Sequence, residues 1–220
     1  MNGSEARTDI KSTEPALPER YREHWERHRD TIDERIAEFT AVPREEHFFE
    51  LLYCLLTPQS RAAHAERAIA LLRKAGFPEV DVDPVPILRD PAHYIRFHNQ
   101  KGKRVLGLRD AWGGLAELIA ADLPSRTKRD RLAAEVNGLG MKEASHFLRN
   151  IGRLDLAIID RHIVTHMLAC GAIDEIPRSI SPARYRQLEQ TFASLADRFG
   201  LTMQQLDLLF WSFEEGSVRK

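Results

Sequence analysis

The run Val136-Asn137-Gly138-Leu139-Gly140-Met141-Lys142-Glu143-Ala144 joins two helical stretches. Gly138 and Gly140 permit backbone conformations that a side chain forbids, and they leave the connection bare enough for a phosphate to approach. The N–H groups of Leu139 to Lys142 are expected to face outward at the start of the next helix. Free donors and the positive end of a helix dipole make such a start an anion site. A plain helix–turn–helix corner, with Gly merely ending one helix, is the alternative. Asp160 stands before an amphipathic stretch and suits a helix N-cap, worth about 1 kcal/mol. His162, His166 and Cys170 recur four residues apart on one helix face. That spacing could suit zinc, but no fourth ligand is evident, and burial is the better account. No metal ligands are assigned.

The elements that must carry these residues read as helices. Trp25, Ile32, Ile36 and Phe39 fall near the 3.6-residue period of a first long helix, and Phe48 to Leu56 is a dense apolar second one. Ala62, Ala65, Ala68, Ile69 and Leu72 mark a third, closed by Gly76. Val80 to Leu88 alternates, but Pro84 and Pro86 argue against a strand. Further helices are expected over about 101–120, 125–136, 142–151, 160–171 and 203–214, with a clean stripe at Tyr185, Leu188, Phe192, Leu195 and Phe199. No strand or hairpin of strands is signalled, so the fold class is all-α. Residues 1–18 read as a mobile tail and 19–220 as one domain.

Charge qualifies the function. Lys and Arg number 32 against 33 Asp and Glu in 220 residues, a balance that by itself argues against a nucleic-acid binder. The balance is uneven along the chain. Residues 1–50 hold 13 acidic and 8 basic residues, whereas Arg96, Lys101, Lys103, Arg104 and Arg109 lie in a stretch without any acid. Arg126, Lys128, Arg129 and Arg131 form a second cluster. Two solvated helix faces would account for both; a DNA-facing surface is the other reading. Cys54 and Cys170 are the two cysteines, too few for a disulfide framework or for an iron–sulfur cluster held by four thiolates of one chain. No apolar run approaches the ~20 residues of a membrane span. The expected location is cytoplasmic, at the nucleoid.

The hairpin resembles that of helix–hairpin–helix DNA glycosylases of the endonuclease III superfamily, of the form apolar-x-Gly-apolar-Gly-x-Lys-x-Ala. An Asp follows Lys142 by 18 residues, in Ala157-Ile158-Ile159-Asp160-Arg161-His162-Ile163, as in that superfamily. Leu55-Leu56-Thr57-Pro58-Gln59-Ser60, the run from Gly140 to Asn150, and Trp211, Gly216 and a terminal Lys220 are similar to the type-2 8-oxoguanine DNA glycosylases/AP lyases. The resemblance covers about residues 20–220.

It implies two helical halves flanking a cleft, about 19–56 plus 156–220 and 57–155. It implies base excision repair on double-stranded DNA carrying a damaged base or an abasic site, performed as a monomer. Lys142 is then the nucleophile, forming a Schiff base whose β-elimination nicks the strand. A free Lys has a pKa of ~10.4, so burial and nearby cations are expected to lower it. Asp160, ionised, would stabilise the oxocarbenium-like sugar and accept a proton from Lys142. Gln59 would fill the gap left by the extruded nucleotide. Trp211 and Phe97 are the candidate stacking surfaces for the base, and Lys220 would read the N7–H that separates 8-oxoguanine from guanine. Gly138, Leu139, Gly140, Met141, Lys101, Lys103 and Arg104 are the expected DNA contacts. No cofactor is required, although a monovalent or divalent ion could sit at the hairpin carbonyls. The alternatives are another damaged base on the same scaffold, or a non-catalytic helix–hairpin–helix DNA-binding module.

Overall fold

The computed structural model describes residues 17–218. Among the described residues there are ten α-helices and no strand. They are α1 (Glu19–Thr40), α2 (His47–Leu56), α3 (Ala62–Lys74), α4 (Val85–Leu88), α5 (His98–Ala120), α6 (Ser125–Glu135), α7 (Met141–Asn150), α8 (Arg161–Ala169), α9 (Pro182–Arg198) and α10 (Met203–Glu215). Several starts are written locally. Ser181 accepts the N–H of Arg184 ahead of Pro182, and Thr202 and Gln205 exchange reciprocal bonds at the start of α10. The doubtful segment 80–88 ends in the single turn of α4.

Two cores hold the helices. One gathers Leu51, Leu52 and Leu55 of α2, Ala68 and Leu72 of α3, Val105 and Leu108 of α5, Leu132 of α6, and Phe147 and Leu148 of α7. The other gathers Tyr21, Ile32 and Phe39 of α1, Ile163 and Met167 of α8, Leu188 and Phe192 of α9, and Leu206, Leu209 and Phe210 of α10. The hairpin lies between them: Leu139 is buried in the first core, and Met141 packs against the second.

Two expected boundaries shift. The halves divide between α1 and α2, not after Leu56, because α2 is apolar almost all round and buries seven of its ten residues in the first core. Leu17 is buried in the second core, so packing begins inside the stretch read as a tail. Residues 1–16 of that stretch lie outside the described residues.

Each basic cluster is part exposed and part internal: Arg96, Lys103, Arg126 and Arg131 are exposed, whereas Lys101, Lys128 and Arg129 are buried. Lys128 and Arg129 are fully buried. Lys128 donates to the Ile119 carbonyl at 2.7 Å, one of the last carbonyls of α5. Arg129 pairs with Glu189 at 2.6 Å, both inaccessible to solvent. Arg109 pairs with Asp81 and Asp110, and Arg131 with Glu135.

Candidate active site and hairpin

Lys142 stands in the first turn of α7, half-buried, on the wall of a cavity of about 560 Å³. Tyr53, Thr57, Gln59 and Ser60 contribute from the end of α2 and the loop after it. His146 and Arg149 come from α7, Ile158 from the segment before α8, and Trp211, Glu215 and Ser217 from α10 and its continuation. The cavity is therefore assembled from both halves. His146 and Arg149 follow Lys142 at the spacing that keeps side chains on one helical face.

Asp160 caps α8. One oxygen, Oδ1, accepts both the His162 N–H at 2.8 Å and the Ile163 N–H at 3.0 Å. A fixed cap and a reactive carboxylate are thus compatible, because Oδ2 takes neither bond. Lys142 and Asp160 make no direct ion pair. Asp207 on α10 feels the charge of both. Burial pushes the Asp207 carboxyl up to about 7, against the pull of Arg149.

The segment leading to Asp160 runs buried from Leu156 to Ile159, so its backbone needs internal partners. Side chains supply them. Gln204 donates to the carbonyls of Leu154 and Leu156, at 3.1 and 2.7 Å. Glu189 accepts the Ala157 N–H at 3.1 Å. The Tyr185 hydroxyl accepts the Ile159 N–H at 3.0 Å, donates to the Ala157 carbonyl at 2.8 Å and lies 3.2 Å from Ser145 Oγ on α7. Tyr185 thus joins the helix of Lys142 to the strap that ends at Asp160. Sequence reading assigned Tyr185 to a core stripe and passed over Glu189, Gln204, Asp207 and Arg149. A polar residue on an otherwise apolar helix face was the one available signal.

The hairpin differs from expectation in detail. Gly138 has φ +90, which favours glycine, and a Cβ there would stand 2.5 Å from Arg104 Nε and displace that flexible side chain. Gly140 is extended, with φ −97, where any residue fits. The Leu139 N–H is taken by the Val136 carbonyl at 3.1 Å and the Gly140 N–H by Glu143 Oε2 at 3.2 Å. The donors left at the open end of α7 are those of Met141 and Lys142 rather than all four. The buried Leu139 side chain contributes packing and no surface.

Other expected site residues scatter. Lys103 is exposed, and Arg104 lies across Gly138 at the hairpin. Lys101 is 2% exposed and points inward, so it is no phosphate contact. Gln59 lies in a loop with φ 57, not at a helix start, and lines the cavity. Phe97, at the N-cap of α5 with φ 61, is 47% exposed and is not among the residues lining the cavity. Its ring meets the Arg96 guanidinium at 5.0 Å. The Trp211 ring lies 5.2 Å from that of His162. His166 Nδ1 lies 2.7 Å from the Tyr21 hydroxyl, and its Nε2 stands 3.2 Å from a Glu214 carboxylate oxygen. Lys220 lies outside the described residues. No helix among them is long and apolar enough to cross a membrane.

Two helical cores bridged by a glycine hairpin, with a lysine of that hairpin opening on a cavity between them, define a helix–hairpin–helix glycosylase scaffold. The family model described as 8-oxoguanine DNA glycosylase matches residues 32–201. An 8-oxoguanine DNA glycosylase/AP lyase of Korarchaeum cryptofilum is 34% identical over 193 residues, 87% of this chain and 91% of that protein. One from Saccharolobus islandicus is 37% identical over 199 residues, 87% of this chain and 95% of that protein. The Methanocaldococcus jannaschii 8-oxoguanine glycosylase/lyase, solved with a 15mer DNA containing 8-oxoguanine, superposes with a TM-score of 0.81 at 29% identity, covering 91% of this chain and 98% of the other. The chain belongs to the 8-oxoguanine DNA glycosylase family.

Proposed function

We propose that this protein excises 8-oxoguanine from duplex DNA and then nicks the strand at the abasic site, with Lys142 as the nucleophile. The observation that carries the reading is the position of Lys142, in the first turn of the hairpin helix and on the wall of the cavity that also holds Trp211. The neutral amine attacks C1′, the bond to the base breaks, and the base leaves with the electron pair and takes up a proton. Ring opening gives a Schiff base between Lys142 and C1′. Loss of a C2′ proton then expels the 3′ phosphate, and hydrolysis releases the lysine.

Asp160 faces the developing positive charge on the sugar and takes the proton that Lys142 must lose. Trp211 stacks on the extruded base, and Lys220 reads its N7–H. Gln59 fills the gap in the duplex. The open N–H groups of Met141 and Lys142, with Lys103 and Arg104, hold phosphates beside Gly138 and Gly140. Phe97, outside the cavity, is left without a base-stacking role. Lysine chemistry of this kind draws on no cofactor. An ion at the hairpin carbonyls is a separate expectation, and a dependence of DNA affinity on cation identity after dialysis against chelator would test it. The working unit is a monomer on DNA, in the cytoplasm at the nucleoid.

Borohydride decides the chemistry. Wild-type protein incubated with 8-oxoguanine duplex is expected to become covalently trapped on the strand, and Lys142→Gln is not. Wild type that cleaves without trapping would sink the Schiff-base step.

A further inference from the structure

Lys101 looks like a phosphate contact in the sequence, yet its ammonium serves the chain itself. Nζ donates to the Leu56 carbonyl at 2.6 Å, the Pro58 carbonyl at 2.7 Å and Ser60 Oγ at 3.3 Å. Those three acceptors surround Gln59. The Ser60 hydroxyl also accepts the Arg96 N–H at 3.0 Å, which ties the loop to the segment before α5. Gln59 itself is exposed, lines the cavity and holds φ 57. A residue with a side chain persists in left-handed backbone only where its surroundings over-determine it. Three donors on one buried nitrogen, with one acceptor at the end of α2 and two in the loop, are such surroundings. Burial and the neighbouring Arg104 push the Lys101 ammonium down to about 8, so at neutral pH it remains protonated and keeps all three donors.

We propose that Lys101 is the positioning residue for nucleotide extrusion: its buried ammonium fixes the loop 57–60 so that Gln59 is presented, already formed, to the gap in the duplex. The proposal rests on the glycosylase reading above. Its physical advantage is preorganisation. A loop ordered during folding loses no further freedom when it enters DNA.

The test compares one lesion in two settings. Full-length Lys101→Met is assayed under single-turnover conditions on 8-oxoguanine in a paired duplex and on 8-oxoguanine in an unpaired bubble. The paired substrate requires extrusion and should be excised more slowly by about tenfold or more, because extrusion carries the cost of lost stacking and pairing. The unpaired lesion needs no such step and should be slowed by about threefold at most. The salt slope of duplex binding should be unchanged, whereas loss of a phosphate contact lowers it by about 0.9. A reduced slope, or equal slowing on both substrates by a variant that folds, overturns the proposal. If Lys101→Met fails to fold by circular dichroism, Ser60→Ala decides, with a smaller loss confined to the paired substrate expected and equal loss on both overturning it. Failure of the parent reading looks different, since wild type would then excise from neither substrate.

Discussion

Arg149 Nη1 lies 3.6 Å from Asp207 Oδ2, with the two side chains 3% and 1% exposed. Arg149 of this pair lines the same cavity as Lys142. The sequence does not show that they meet, because the two residues belong to α7 and α10. Neither Asp207 oxygen has a hydrogen-bond partner among the described residues, so the carboxylate is poorly compensated for lost water.

Asp207 should therefore leave a mark on stability against pH. Burial raises its carboxyl from 3.8 to about 7 in the folded state. The folded chain keeps a proton that the unfolded chain has released. The contribution is present below about 4, is lost as pH climbs to about 7, and is flat above. Melting of wild type and Asp207→Asn at pH 5 and pH 8 checks this. The difference in wild type's favour should be larger at pH 5, by about 4 °C or more. A difference that does not change with pH contradicts it.

Asp160→Asn separates the cap from the charge. Asn still offers an oxygen to the N–H groups of His162 and Ile163, so stability should change by less than about 1 kcal/mol. Excision should fall by about a hundredfold or more, the scale of losing a fixed group opposite developing charge. Asp160→Ala should lose the same activity and about 1 kcal/mol more stability. Chemical denaturation alongside single-turnover excision reads both quantities.

Tyr185→Phe removes one hydroxyl that serves Ile159, Ala157 and Ser145. Leaving those buried groups short of a partner should cost about 1–3 kcal/mol. The strap before Asp160 loosens with it, so kcat should fall while the affinity for duplex DNA stays near that of wild type. Equal kcat in a destabilised variant would confine Tyr185 to packing.

The two hairpin glycines should separate cleanly. Gly138→Ala places a Cβ against Arg104 at positive φ, and should weaken duplex binding and cost about 1–2 kcal/mol. Gly140→Ala meets only Glu143 Oε2, at 3.0 Å, which a flexible side chain relieves; its stability should stay within about 0.5 kcal/mol of wild type. Denaturation midpoints and fluorescence anisotropy with a lesion duplex measure the contrast.

Arg129→Met tests the second basic cluster. It strips Glu189 of its buried partner and should destabilise by about 3–5 kcal/mol. The salt slope of DNA binding by the folded fraction should not move, because Arg129 holds no phosphate.

The sequence by itself determined the class of fold and the order and approximate bounds of the helices. Each of these is a local pattern. A 3.6-residue apolar period, a capping residue and a glycine between two helices act over a few positions, whereas the roles proposed for Lys142 and Asp160 rest on the resemblance to the glycosylase family. The direction of the charged side chains was decided only in three dimensions. Lys101 reaches Leu56 across 45 residues and Arg129 reaches Glu189 across 60, turning one member of each apparent DNA-binding cluster into an internal clamp. A basic residue on a helix shows which way it can point, but not whether a carbonyl or carboxylate waits there. Tertiary packing also moved α2 to the first core and took Phe97 out of the cavity lining. The physical reason is the same throughout: burial of a charge is favourable only where distant parts of the chain converge to meet it.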